Sequence, residues 1–226
     1  MPVYNEEAII EKTIDDCMTL ILSRFVTGEI VVVNDCSTDE TAKVLERLSA
    51  TNDRLKVISN EKNVGHGSSL VRAVRAARGD HVLCMDSDYQ FCPEDFWKLY
   101  ALFDGTNIVI GQRENRAEGG YRSWMSSAGN AAMRELFSLT VSDINIPFKL
   151  FPRSILNKIA KKLPQEALVP SSLLIIAASK MDIPIRQVSV RHFPRNTGQG
   201  SLQGWKYFNF GVKAAIEMIR FNGSKS

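Results

Sequence analysis

Short β-branched runs alternate with amphipathic helical stretches through the first half of this chain, and that rhythm limits its fold more than any other feature. Glu29-Ile-Val-Val-Val33 is compact and apolar, as a strand buried on both faces must be. Leu55–Ile58, His81–Met85 and Asn107–Ile110 repeat the pattern. Between them, Ile10, Ile14, Cys17, Met18 and Ile21 fall on one helical face, as do Leu70, Val74 and Ala77. Thr38 or Asp39 is placed to cap a helix running to about Leu48. Alternating β and α elements predict a parallel sheet with helices on both faces, and such sheets bind ligands beyond the C-terminal ends of their strands.

After Gly111 the rhythm changes. Residues 111–121 are polar and glycine-containing and read as a loop. Helices are expected at 122–138, 153–162 and 171–180, and a strand pair near 184–193. From Gln203 to Phe221, Trp205, Phe208, Val212, Ile216 and Ile219 share one helical face, with Lys206, Lys213 and Arg220 near its edge. Such a helix either lies on a membrane surface or packs on the protein with its lysine stems at the rim. The organisation this implies is 1–112, 113–202 and 203–226 as three parts of one domain. The chain opens at Met1-Pro-Val-Tyr4 with no strand ahead of it, so either the sheet starts elsewhere or the N-terminus is cut short.

Composition removes several functional classes. Among 226 residues the net charge is +3, too small for a dedicated nucleic-acid binder. The charge is unevenly spread: 11 Lys/Arg stand against 18 Asp/Glu through Gln112, and 17 against 7 from Arg113 onward. A basic second half suits an anionic partner, phosphate or lipid surface, or is solvated surface. Cys17, Cys36, Cys84 and Cys92 form no CxxC pair, and His66, His81 and His192 no HxxxH pair, which argues against zinc and against a disulfide scaffold. A reducing compartment fits, and no secretory signal pattern opens the chain. The longest apolar stretch, Leu173–Ala178, is too short to span a bilayer. The expected location is cytoplasmic, with contact at the cytoplasmic face of a membrane.

The strongest chemical signal is Met85-Asp-Ser-Asp-Tyr-Gln90, directly after an apolar strand. Asp86, Asp88 and the Gln90 carbonyl oxygen are hard ligands that suit Mg²⁺ or Mn²⁺ and leave positions for substrate phosphate. The competing reading is a solvated turn leading into a helix that starts at Pro93. Asp35, at the end of the second strand, can accept hydrogen bonds from a base or ribose. Ser37, Thr38 and Asp39 serve equally as helix caps. Asn63-Val-Gly-His-Gly67 precedes a helix expected at 68–78 and would offer free amides, but it is neither a dinucleotide fingerprint nor a P-loop.

The succession Pro2-Val-Tyr-Asn-Glu6, Val-Val-Asn-Asp-Cys-Ser-Thr-Asp-Glu-Thr, Asn-Val-Gly-His-Gly, Ala-Arg-Gly-Asp80, Met-Asp-Ser-Asp-Tyr-Gln and Pro93-Glu-Asp95 resembles family 2 glycosyltransferases. Within that family it is most similar to the dolichyl- and polyprenyl-phosphate sugar transferases. The resemblance is close over residues 1 to about 153. It implies the GT-A fold, a Rossmann-like α/β arrangement with a mostly parallel sheet flanked by helices and a smaller acceptor-side C-terminal region. It implies Pro2, Tyr4, Glu6 and Asp35 at the nucleotide base and ribose, and Asp86, Asp88 and Gln90 on the metal. It also implies Arg113, Arg122 and Arg195 at phosphate, with Asp143 near the acceptor.

The activity implied is inverting transfer of a sugar from a UDP- or GDP-linked donor to a lipid-phosphate acceptor, without nucleic acid. A lipid phosphate needs no strong base. A glycan hydroxyl acceptor would need one, and Asp143 is the candidate, unless it caps a helix or sits in an ion pair. Arg113 and Arg122 are otherwise surface arginines. The chain departs from the family pattern at Pro147, where Gly is usual, and at Leu202, where Lys is usual. The family's first strand is missing ahead of Pro2, which leaves a truncated, non-catalytic remnant as a further reading. A nucleotidyltransferase would want a Gly-x-Gly-x-Arg loop where Tyr4-Asn-Glu-Glu7 stands.

Overall fold

A computed structural model of the chain describes residues 1–114, 135–137, 139, 141–194 and 205–223, with side chains in the last segment from Asn209 onward. The elements run β1 (Pro2–Val3), α1 (Ile10–Leu20), β2 (Ile30–Asn34), α2 (Thr41–Ala50), β3 (Leu55–Ser59), α3 (His66–Ala76), β4 (His81–Cys84), α4 (Phe96–Leu102) and β5 (Ile108–Arg113). They continue with β6 (Lys149–Pro152), α5 (Arg153–Ala160), α6 (Pro170–Ser179), β7 (Ile185–Val190) and α7 (Trp205–Gly223).

The four strands read from apolar runs all form, within a few residues of their expected ends. β2 is buried at all five positions, which accounts for its unbroken β-branched sequence. One sheet has the order β1-β2-β3, all parallel. The other has the order β4-β6-β5-β7, with β6 antiparallel to β4 and β5, and β7 parallel to β5. Strands on both sides of residue 112 therefore share one sheet. β1 pairs only with Val33 and Asn34 of β2. Between the rest of β2 and the outer edge of β4 lies an apolar cleft of about 670 Å³, lined by Cys17, Leu70, Val74 and Phe96 among others.

Four expectations need correction. The segment 184–193 is one strand followed by a single antiparallel bridge from His192 to Phe91, not a pair of strands. β7 finds its partner in β5, so no hairpin is needed. The α2 helix is capped at Glu40 with no side-chain cap bond, although Asp39 Oδ1 still accepts the Thr41 amide at 3.0 Å. α3 starts at His66, earlier than 68. The helix after Pro93 is a short 3₁₀ turn, Pro93–Asp95, leading into α4. The expected helix at 122–138 falls almost wholly outside the described residues.

The apolar stretch at 173–178 is a core helix. Every residue of α6 from Pro170 to Ala178 is buried, as a helix apolar on all sides must be. α7 packs on α6 through Ala214 and Met218, both buried. Its Glu217 carboxylate accepts the Leu168 and Val169 amides at 3.0 Å, just ahead of α6. The helix therefore rests on a face other than the apolar one read from the sequence. Val212, Ile216 and Ile219 of that stripe stand 43%, 43% and 50% exposed. The side chains of Trp205, Lys206 and Phe208 lie outside the described residues. Among the described residues, no helix is long and apolar enough to cross a membrane.

Candidate functional site

The loop after β4 carries the acidic motif. Met85 and Ser87 are buried and anchor it, while Asp86 and Asp88 stay partly open. Thr13 of α1 donates its hydroxyl to the Ser87 carbonyl at 3.1 Å. The Gln90 amide donates to Asp88 Oδ1 at 3.2 Å, so the loop doubles back on itself. Tyr89, between them, has φ +57°. The Gln90 side-chain amide donates to the Phe193 carbonyl at 3.3 Å, and the Phe193 amide to the Gln90 carbonyl at 2.9 Å. The segment after β7 therefore braces this loop from the second side.

His66, the first residue of α3, places Nε2 3.0 Å from Asp86 Oδ1. Burial alone would push the Asp86 carboxyl up, but the charge and hydrogen bond of His66 hold it below the ordinary carboxylate range. The same contact holds His66 above the ordinary imidazole value against its own burial. Sequence reading placed this histidine only in a glycine-containing turn. Gly67 shows why the turn sits so close: a Cβ there would stand 1.9 Å from the Ala167 carbonyl oxygen.

The residues expected at the nucleotide gather at the C-terminal ends of β1 and β2. Pro2 is buried within β1 and Tyr4 is 45% exposed just beyond it. Asn5 and Cys36, both at positive φ, lie in two facing loops. Asn5 Oδ1 accepts the Thr38 amide at 2.8 Å, and the Asn5 amide donates to Ser37 Oγ at 3.1 Å. Asparagine tolerates the left-handed region, which is the signal that marks position 5 in the sequence. Glu6 is buried, its amide donating to Thr41 Oγ1 at 2.9 Å.

Asp35 is 2% exposed. Its oxygens accept from Asn60 Nδ2 at 2.7 Å, the Val64 amide at 2.9 Å and the Gly65 amide at 2.8 Å. The amides expected to be free ahead of α3 are therefore taken at Val64 and Gly65, because a buried carboxylate must find donors.

At the end of β5, Arg113 makes an ion pair with Asp143, which is 3% exposed. The Arg113 guanidinium lies 5.6 Å from the Phe91 ring centroid, and its buried Nε has no acceptor among the described residues. Beneath this pair lies Lys149, fully buried at the start of β6. Its ammonium donates to the Ile144 carbonyl at 2.9 Å and the Ser171 carbonyl at 2.7 Å, and also to Ser171 Oγ. Burial pushes it down to about 7, against the pull of Cys84, Asp143 and Asp86. Arg122 and Arg195 lie outside the described residues.

The donor set fits a hard divalent cation. Asp86 and Asp88 offer carboxylate oxygens, and the Gln90 NH₂ is engaged by Phe193, which leaves Oε1 as its other end. Among the described residues, no three His, Cys, Asp or Glu gather into a closed metal cage.

A model for glycosyl transferase family 2 matches residues 1–160. The undecaprenyl-phosphate 4-deoxy-4-formamido-L-arabinose transferase of Pseudomonas fluorescens is 26% identical over 212 residues, covering 92% of this chain and 61% of that protein. The protein of the same name from Proteus mirabilis is 27% identical over 216 residues, covering 92% and 63%. The chain thus spans about three fifths of the length of these relatives. Among solved structures, glucosyl-3-phosphoglycerate synthase from Mycobacterium tuberculosis superposes with a TM-score of 0.71 at 21% identity. That structure holds Mn²⁺, UDP and glucosyl-3-phosphoglycerate, and the match covers all of this chain and 79% of that one. The same enzyme with Mg²⁺ and UDP gives 0.71 as well.

Proposed function

The chain belongs to glycosyl transferase family 2, and from that premise we propose that it transfers a sugar from a nucleoside-diphosphate donor to a polyprenyl-phosphate-type acceptor. Transfer inverts the anomeric carbon and uses Mg²⁺ or Mn²⁺. One observation carries the reading: Phe91, the residue that directly follows the Asp86–Gln90 loop, has its ring centroid 5.6 Å from the Arg113 guanidinium at the end of β5. That brings carboxylates for a cation and an arginine for phosphate to neighbouring strand ends.

Each residue then has a task. Tyr4, exposed beyond β1, offers a ring to the base. Pro2 and Glu6 shape the same side of the pocket, and Asp35 acts by fixing the Val64–Gly65 turn. Asp86, Asp88 and Gln90 Oε1 would hold the cation, whose charge would offset that of a diphosphate leaving group. Arg113 gives a charge-assisted contact to phosphate, joined by Arg122 and Arg195. An acceptor phosphate oxygen forms the new bond to the anomeric carbon, and the nucleoside diphosphate leaves with the old bonding pair. That oxygen is already ionised, so no base is needed and Asp143 serves to orient Arg113. A glycan hydroxyl acceptor would instead require Asp143 to take its proton.

Three observations support a lipid acceptor. The curated relatives are named as undecaprenyl-phosphate transferases. The second half of the chain is basic. The exposed stripe of α7, with Lys213 and Arg220 near its edge in sequence, suits peripheral contact with an anionic bilayer. The test is incubation with radiolabelled UDP- or GDP-sugars, Mn²⁺ and vesicles containing undecaprenyl phosphate. The expected result is label in the lipid extract with one donor class. Label passing only to a soluble glycan would contradict the lipid acceptor.

A further inference from the structure

Tyr89 occupies a backbone conformation that an aromatic residue adopts only when its surroundings impose it, with φ +57°. Its neighbours on both sides, Asp88 and Gln90, are metal ligands in the reading above, so whatever holds Tyr89 also sets how those ligands point. The holding groups come from α1. Lys12 and Asp16 stand one helical turn apart and pair at 2.5 Å. The Tyr89 hydroxyl donates to Asp16, and Lys12 Nζ donates to Tyr89 Oη at 2.9 Å. The ammonium also lies 4.2 Å from the Tyr89 ring centroid. Between the two, Thr13, fully buried, holds the Ser87 carbonyl from the same helix. A surface pair such as Lys12–Asp16 contributes little by itself. Closed on a hydroxyl that carries a strained loop residue, it forms a three-membered clamp.

We infer that Lys12, Asp16 and Tyr89 form a positioning triad that fixes the spacing of Asp86 and Asp88 and the aim of Gln90 Oε1 toward the cation. The triad touches neither substrate nor metal. It rests on the reading of Asp86, Asp88 and Gln90 as metal ligands, and its test separates the two.

The experiment is Mn²⁺ titration followed by loss of the free-ion paramagnetic resonance signal, in the presence of UDP and, in parallel, GDP. The full chain is compared with Tyr89→Phe, Asp16→Asn and Lys12→Met, each with its melting temperature. The triad predicts Mn²⁺ affinity about tenfold weaker in Tyr89→Phe and Asp16→Asn, as for other groups that orient ligands. Melting should move by no more than a few degrees. Lys12→Met is the decisive variant, because removing a positive charge near the site would by itself strengthen cation binding. Weaker binding there supports the clamp, and unchanged or tighter binding overturns it. If the parent chain binds no Mn²⁺ with either nucleotide, the metal reading fails and the triad with it. If parent and variants all bind equally, the triad alone is overturned.

Discussion

Lys149 departs furthest from the ordinary behaviour of its residue type. Its folded value near 7 lies well below the 10.5 of an unburied lysine. Between those values the unfolded chain holds more protons than the folded one, so stability rises with pH across that window. The slope is at most about 1.4 kcal/mol per pH unit for a single proton. Below the folded value both states are protonated and the cost of burying the charge is fully present. Chemical denaturation at pH 7.5 and 9.0 should therefore show the parent gaining up to about 2 kcal/mol relative to Lys149→Met. Superimposable pH dependences would contradict a lysine that folds with a lowered value. At this scale the sequence was half legible. That Asp86, Asp88 and Gln90 follow a strand end was legible because the apolar run His81–Met85 precedes them, while Arg113 was marked by the family resemblance. His66, Asn5 and Lys149 could not be assigned their contacts. Those depend on α3 meeting the β4 loop, on two facing loops interlocking, and on α6 passing beneath β6, and none of these meetings leaves a local pattern.

Among the elements, periodicity revealed α1 and α3, because each buries a stripe, while α5 and α6 formed close to where helices were expected. It left open how α7 sits. The helix is seated by Glu217 on the Leu168 and Val169 amides and by small and flexible residues, Ala214 and Met218, against α6. An apolar stripe was visible in the sequence, but whether it faces protein or solvent was not. Replacing Val212, Ile216 and Ile219 together with Glu should reduce co-sedimentation with anionic vesicles by about tenfold or more, since apolar burial and charge attraction are lost together. The melting temperature should stay within a few degrees, because all three are exposed. Unchanged vesicle binding would show that α7 is not the membrane-facing element. β6 was missed for another reason. Lys149 at its start and Pro152 at its end disguise a fully buried strand, and its antiparallel partners lie more than 30 residues away in sequence.

For the whole molecule, the alternation of strands and helices was enough to read the α/β class, while the strand order was not. The β4-β6-β5-β7 order depends on long-range pairing, and residues of both sheets line the apolar cleft beside β4. The site straddles that division. In the proposed function β1 and β2 supply the nucleotide side and β4 and β5 the cation and phosphate side; the His66–Asp86 and Lys12–Asp16–Tyr89 contacts join the elements. In the proposed function both sides act together on a nucleoside diphosphate and a divalent cation. The most direct measurement is thermal melting of the chain and of Asp88→Ala with UDP, GDP, CDP and dTDP, each with and without Mn²⁺. The expected result is a rise with one nucleotide that requires Mn²⁺ and is absent in Asp88→Ala. A cooperative melt that no nucleotide shifts, or a shift that Asp88→Ala retains in full, would contradict it.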